Sequence, residues 1–243
     1  SPTLRAADGQ TPLGIALAAG DRSVADWLDW RGWALPSRPL RSADVPAAAI
    51  AGDADAVRRL IDLDLPVDAV DAQGCSALLR AAGAGHMPVV ELLLQRGADR
   101  NLATRGGATP FSAAISMGRG AIVQRLLAEG ADRDQRLPGN VSLLMLAAAR
   151  GLPDMCARLL TAGADIHASD DQGLTALHCA ALYAFSAMER PRVMALFDTL
   201  LLAGADPARA ANGQLTPLLL LLGARAEPGA ACDEDVLVAV ERL

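Results

Sequence analysis

The sequence predicts an all-α repeat solenoid of about seven helix–turn–helix units with β-hairpin fingers, the first two and last two units irregular. Two markers in phase carry that prediction. A Thr or Ser opens a unit at Ser76, Thr109, Ser142 and Thr175, with a step of 33 each time. Gly97-Ala98-Asp99, Gly130-Ala131-Asp132 and Gly163-Ala164-Asp165 keep the same step. A fixed period of this length is a sign of a repeat architecture, in which each unit buries its apolar face only against its neighbours. Composition agrees: the chain is 52% apolar but 3% aromatic, so Ala and Leu supply the core, as short, closely stacked helices require.

Within one period each element has a local cause. Two residues before the Thr or Ser stands Gly9, Gly74, Gly107 or Gly173, a hairpin slot that wants positive φ, which glycine adopts without steric cost. Asn140 holds that slot before Ser142, and Asn is the next-best tolerated there. The hydroxyl then caps a short helix, and Pro12, Pro110 and Pro217 fall at the first helical position, where a missing N–H costs nothing. A second, longer helix follows, such as Met87 to Arg96 or Ala121 to Glu129, and stops at the Gly of Gly-Ala-Asp.

The stretch Thr175-Ala176-Leu177-His178-Cys179-Ala180, with its variants at Thr11-Pro12-Leu13, Ser76-Ala77-Leu78, Thr109-Pro110-Phe111, Ser142-Leu143-Leu144 and Thr216-Pro217-Leu218, resembles the ankyrin repeat's T-P-L-H-x-A opening. With Gly-Ala-Asp as the closing marker, the resemblance covers nearly the whole chain. It implies a single ankyrin-repeat domain over 1–243. Its repeats are 5–35, 36–68, 69–101, 102–134, 135–167, 168–208 and a truncated 209–243.

Taken in order, the first repeat carries Trp27 and Leu28 in core slots of its second helix, while Trp30 and Trp33 align with positions outside the core. Those two either pack on a hairpin or a neighbouring repeat, or offer an aromatic contact to a partner. In the second repeat the hairpin gives way to Pro36-Ser37-Arg38-Pro39, so an irregular finger is expected, with Val57 to Ile61 in the second helix. Repeats three to five are regular. From Thr175 to Thr216 the step is 41, which implies an insertion of eight residues, expected as a long inter-helix loop over 183–192. A second long loop is expected over 223–235, and stacking in register would set the two side by side on a binding face.

The chain has no lysine, which points to a GC-rich bacterial genome, and a net charge of -6, which disfavours a general nucleic-acid surface. Cys75, Cys156, Cys179 and Cys232 are too scattered for a zinc site or a compact disulfide framework. A reducing, cytoplasmic setting follows. No signal peptide and no apolar run of membrane-spanning length is present, so no membrane contact is expected of this segment. Absence of an initial Met and an end inside the helical pattern of Val240-Glu241-Arg242-Leu243 lead us to expect a piece of a longer protein.

Catalysis is not expected, and neither is a metal or cofactor. His178 fills the slot that, by the resemblance, ties the helix start to a neighbouring repeat. His86 fills another slot familiar from that family, and His167 a hairpin arm. No H-E-x-x-H, G-x-S-x-G or phosphate-binding loop occurs. Gly83-Ala84-Gly85 and Gly118-Arg119-Gly120 are isolated glycine pairs, weak as phosphate cradles. Adjacent His178 and Cys179 point about 100° apart on a helix and cannot act as a dyad.

What remains is a binding surface. The x of the motif and the residue four further on share a helical face, giving Arg80 with Ala84, Ala113 with Met117, Leu146 with Arg150, and Cys179 with Tyr183. The ankyrin resemblance implies that this face lines a concave groove. Asp71, Gln73, Arg105, Arg136, Asp170 and Asp171 form its rim at the finger tips. The expected function is a non-catalytic scaffold that binds another protein or peptide segment, acidic in character, opposite Arg80, Arg105, Arg136 and Arg150. The plainer reading is that these arginines only solvate an Ala-rich floor. The alternative function is a regulatory or structural arm of a larger enzyme or membrane protein.

Overall fold

A computed structural model gives the structure of the chain and describes residues 19, 38–186 and 189–223. The Trp residues of the first repeat, Cys232 and the expected loop over 224–235 lie outside the described residues. The chain divides into two compact units, Ser1–Thr104 and Arg105–Leu243.

In the N-terminal unit the described helices are α1 (Asp44–Ile50), α2 (Ala54–Asp62), α3 (Ala77–Ala84) and α4 (Met87–Gln95). They form two helix pairs, α1 packing on α3 and α2 on α4. Ala48, Ala49, Ala81 and Ala82 are fully buried where first helices meet, and Val57, Leu60, Val89, Val90 and Leu93 fill the space toward the second helices. Alanine at the crossing lets short helices approach closely, which is why so few aromatics are needed. Ser76 Oγ accepts the Leu79 N–H at 3.2 Å and caps α3, a contribution of about 1 kcal/mol. Gly85, at φ 97°, ends that helix in the left-handed region.

The irregular start of the second repeat has its own cap. No side chain caps α1 from Ala43. Instead Asp44, buried at the first helical position, accepts the Arg41 N–H at 2.7 Å and pairs with Arg38 at 2.6 Å. Burial alone would raise its carboxyl. Hydrogen bonds from Arg38 and Arg41 outweigh that and hold it below the usual carboxylate range.

In the C-terminal unit the described helices are α5 (Pro110–Ser116), α6 (Gly120–Ala128), α7 (Leu143–Ala149), α8 (Pro153–Thr161), α9 (Ala176–Ser186), α10 (Arg190–Leu202) and α11 (Pro217–Gly223). First helices α5, α7, α9 and α11 pack in succession, and α8 packs on α10. Thr109 and Ser112 form a reciprocal capping box at α5, and Ser142 and Thr216 cap α7 and α11. Two-residue strands β1 (Arg136–Leu137) and β2 (Val141–Ser142) pair antiparallel across the turn at Gly139 and Asn140, whose φ values are 78° and 61°. Asn140 thus takes the left-handed slot expected of it. Neighbouring fingers are laced together: Asp171 N–H donates to the Gly139 carbonyl at 3.0 Å and Asn212 N–H to Gln172 at 2.9 Å.

One expectation is corrected. The eight extra residues of the sixth repeat do not form a loop over 183–192. Helix α9 spans 11 residues where α5 and α7 span 7, and α10 spans 13 where α6 and α8 span 9. Each helix gains about one turn, and 187–189 remain between them, as few as the 150–152 link of the preceding repeat. Four residues are close to one turn of 3.6. Splitting the insertion this way keeps both apolar stripes in phase and buries Leu196, Phe197 and Leu200. Pro191 was no obstacle, because it falls in the first turn of α10, where its missing N–H is tolerated.

Candidate protein-docking surface

The described first helices are largely buried, and one row of positions at motif spacing is left at least partly open, with Ala149, Leu182 and Leu219 exposed beside it. In the C-terminal unit that row contains Ala113 and Met117 from α5 and its end, Leu146 and Arg150 from α7 and its end, and Cys179 and Tyr183 from α9. Met117 is 56% exposed. Arg150 is exposed, and Leu146, Cys179 and Tyr183 are half-buried. Around them Phe111, Ala114, Ile115, Leu143, Leu144, Ala147, Ala148, Leu177, Ala180 and Ala181 are buried. The motif spacing sets this: residues four apart look outward together while most of each seven-residue helix faces its neighbours. Burial pushes the Cys179 thiol up to about 12, so it lines the row as a neutral group.

The rim residues differ in what they have to spare. Asp71 and Asp170 are turn-makers. Each Oδ1 accepts two backbone N–H groups of its own finger, from Gln73 and Cys75 at 2.9 and 3.0 Å, and from Gln172 and Leu174 at 2.8 and 2.9 Å. Asp71 also holds Arg80, at 2.6 Å in the closest approach, and Gln73 bonds the same guanidinium. Burial would raise the Asp71 carboxyl, but the Cys75 N–H and Arg80 hold it below its ordinary value. Arg80 therefore serves its own finger. Arg136 reaches the Asn140 carbonyl at 3.2 Å across its hairpin, and Arg105 and Arg150 are exposed. Asp171 is exposed and tied through its backbone to the next finger.

Two of the three histidines are occupied structurally. His178 is fully buried. Its Nδ1 accepts the Thr175 N–H at 3.1 Å and its Nε2 lies 3.0 Å from the Leu215 carbonyl in the next repeat. That pattern fits the neutral ring with the proton on Nε2, and burial is the largest cause of its lowered pKa. His86 Nε2 meets the Ile50 carbonyl at 3.1 Å, its ring occupying space that a Cβ at Gly52 would fill. His167 lies exposed in its hairpin arm. Cys156 is buried, its thiol pushed up to about 12 by desolvation. Among the described residues no three His, Cys, Asp or Glu gather as a metal site, and no helix is long and apolar enough to cross a membrane.

Sequence reasoning missed two arginines. Arg192, at the start of the lengthened α10, donates to the Tyr183 hydroxyl and pairs with Glu189 at 3.2 Å. Arg158 of α8 lies beside Gly120. The motif spacing could not reveal them, since both are on second helices. Tyr183 itself sits over Gly151, so one side of its ring is used internally.

Stacked two-helix repeats with capped first helices, laced fingers and one open row of side chains define a helical repeat protein of the interaction type. Residues 47–136 and 120–190 match the family described as ankyrin repeats in three copies, more than half of the chain's 243 residues. The chain belongs to the ankyrin-repeat family, whose members generally mediate protein–protein interaction. It is 33% identical over 112 residues to the ankyrin repeat and KH domain-containing protein CBG24701 of Caenorhabditis briggsae. It is 32% identical over the same length to the ankyrin repeat and KH domain-containing protein mask-1 of Caenorhabditis elegans. Each match takes in 45% of this chain and 4% of the relative. These are nematode proteins, so the bacterial source expected from the lysine-free composition gains no support.

Proposed function

We propose that this chain is a non-catalytic docking module that binds another protein through the open row of its C-terminal unit: Met117, Leu146, Arg150, Cys179 and Tyr183. Arg136, Arg105 and Asp171 stand on the finger rim. The observation that carries the reading is a contrast at the helix ends: Met117 and Arg150 are exposed at the ends of α5 and α7, whose Ala114, Ile115, Ala147 and Ala148 are buried. Exposed Met and Arg beside small residues make a surface typical of protein recognition. Rigid stacking limits the ordering entropy of binding. The partner's matching segment is acidic, since Arg150, Arg105 and Arg136 outnumber the exposed Asp171 among the charged groups of row and rim, and Arg–carboxylate pairs give orientation. Arg80 belongs to the predicted row but acts as a finger brace. We further infer a seven-repeat array with the boundaries given above, a reducing cytoplasmic setting that suits the free Cys75, Cys156 and Cys179, and no nucleic-acid role.

The test is a random peptide library displayed on phage and panned against the full chain. Selected peptides should be rich in Asp and Glu. Arg150→Glu should weaken them about tenfold or more, the loss of a charge-assisted contact plus like-charge repulsion. Gln124→Ala, on the exposed side of α6, should leave affinity unchanged. Equal affinity for Arg150→Glu would remove the row from consideration.

A second reading is favoured by one observation. The chain's matched segment is a small part of long relatives, which suits an interaction arm of a larger protein.

A further inference from the structure

Away from the open row, a cleft of about 380 Å³ lies among Gly118, Gly120, Gly151, Leu152, Arg158 and Arg192. We propose that it is an oxyanion-binding site, taking a phosphate or carboxylate group of a small ligand.

The floor is glycine at three places. A Cβ at Gly120 would stand 3.4 Å from Arg158 Nε, an ordinary contact distance, so the guanidinium lies alongside the glycine backbone at the floor. Gly151, at φ 62°, leaves room for the Tyr183 ring, whose hydroxyl holds Arg192. The extra turn in α9 and α10 supplies both Tyr183 and Arg192. The insertion thus builds one wall of this cleft. Arg158 makes no hydrogen bond or ion pair through its guanidinium with any other described residue, and it is exposed to the open volume. Two guanidinium groups facing one uncharged floor suit a planar or tetrahedral oxyanion, which accepts in-plane N–H pairs from each.

Two acids bear on the site. Asp154 lines the cleft and Glu189 pairs with Arg192 at 3.2 Å. An incoming oxyanion bridges Arg158 and Arg192 and displaces Glu189, so Glu189 is a competitor and Asp154 a repulsive neighbour. A ligand with one compact anionic group and an uncharged or donor-bearing remainder fits best. Tyr183 borders both surfaces, but Met117, Leu146 and Arg150 of the docking row are not part of the cleft.

The experiment is nuclear magnetic resonance of the full chain, following the Arg Nε–H signals and the backbone amides of Gly120 and Leu152. Inorganic phosphate and sodium acetate are titrated separately at constant ionic strength. A saturable shift with phosphate alone assigns a phosphate ligand, and one with acetate alone a carboxylate ligand. Arg158→Gln and Arg192→Gln should each raise the apparent Kd about tenfold, Glu189→Gln should lower it, and Arg150→Gln should not change it. Both arginines are exposed, so melting temperatures should hold. Linear, non-saturating shifts with both anions, or saturable shifts that survive both arginine variants, would overturn the site.

Discussion

His178 shows how one side chain ties two repeats and sets a pH dependence. Its ring is buried and bonded as the neutral species to Thr175 and Leu215. Asp170 and Arg209 are the charged groups acting on it, with opposite effects. A base whose folded pKa is lowered takes up its proton more readily when unfolded. Its contribution to stability is complete above the unfolded value of about 6.5 and is lost as pH falls toward the lowered folded value. Stability should therefore decline as pH falls below about 6.5, and His178→Gln should flatten that decline in denaturant titrations. An unchanged slope in the variant would contradict the assignment. Asp44 and Asp71 act in a separate window, because their lowered carboxyls add stability above about pH 3.8 that disappears only in stronger acid. Glycines give a second contrast at this scale. Gly74 and Gly151 both have positive φ, but nothing lies within 4 Å of a Cβ at Gly74, whereas the Tyr183 ring fills that place at Gly151. Gly74→Ala should cost about 1 kcal/mol from backbone strain alone. Gly151→Ala should cost more, and Tyr183→Ala in the same chain should recover part of the difference.

At the scale of the element, caps and stops were legible in sequence because each depends on local chemistry. Thr109, Ser142 and Thr216 cap the helices that follow them, and Gly97, Gly130 and Gly163 take positive φ at the stops. The fate of the insertion was not legible. Tyr183 to Pro191 contains a proline and no strong helix period, which reads as a loop until the neighbouring helices show that whole turns are added to both. Packing of Leu196, Phe197 and Leu200 against the stack decided it, and such burial cannot be seen from nine residues in isolation. Substitution tests this directly. Ala184→Pro should cost about 3 kcal/mol in an interior turn of α9. A cost near zero in urea unfolding would restore the loop.

At the scale of the molecule, periodicity exposed the family and the open row, since both repeat with the motif. It could not show that Arg80 is bound to Asp71, because that pair joins a helix to its own finger nine residues away. Nor could it show the cleft of Arg158 and Arg192, which joins three repeats at their inter-helix turns. A bound partner should cover the first-helix row of the C-terminal unit. Methionines report on it with internal controls: Met117 is 56% exposed, while Met145 and Met155 are 1% and 4% exposed. With a saturating acidic peptide from the display selection, peroxide oxidation should be followed at each methionine by mass spectrometry. Bound peptide should slow sulfoxide formation at Met117 severalfold and leave Met145 and Met155 slow throughout. Oxidation of Met117 at the same rate in free and bound protein would contradict docking on the row.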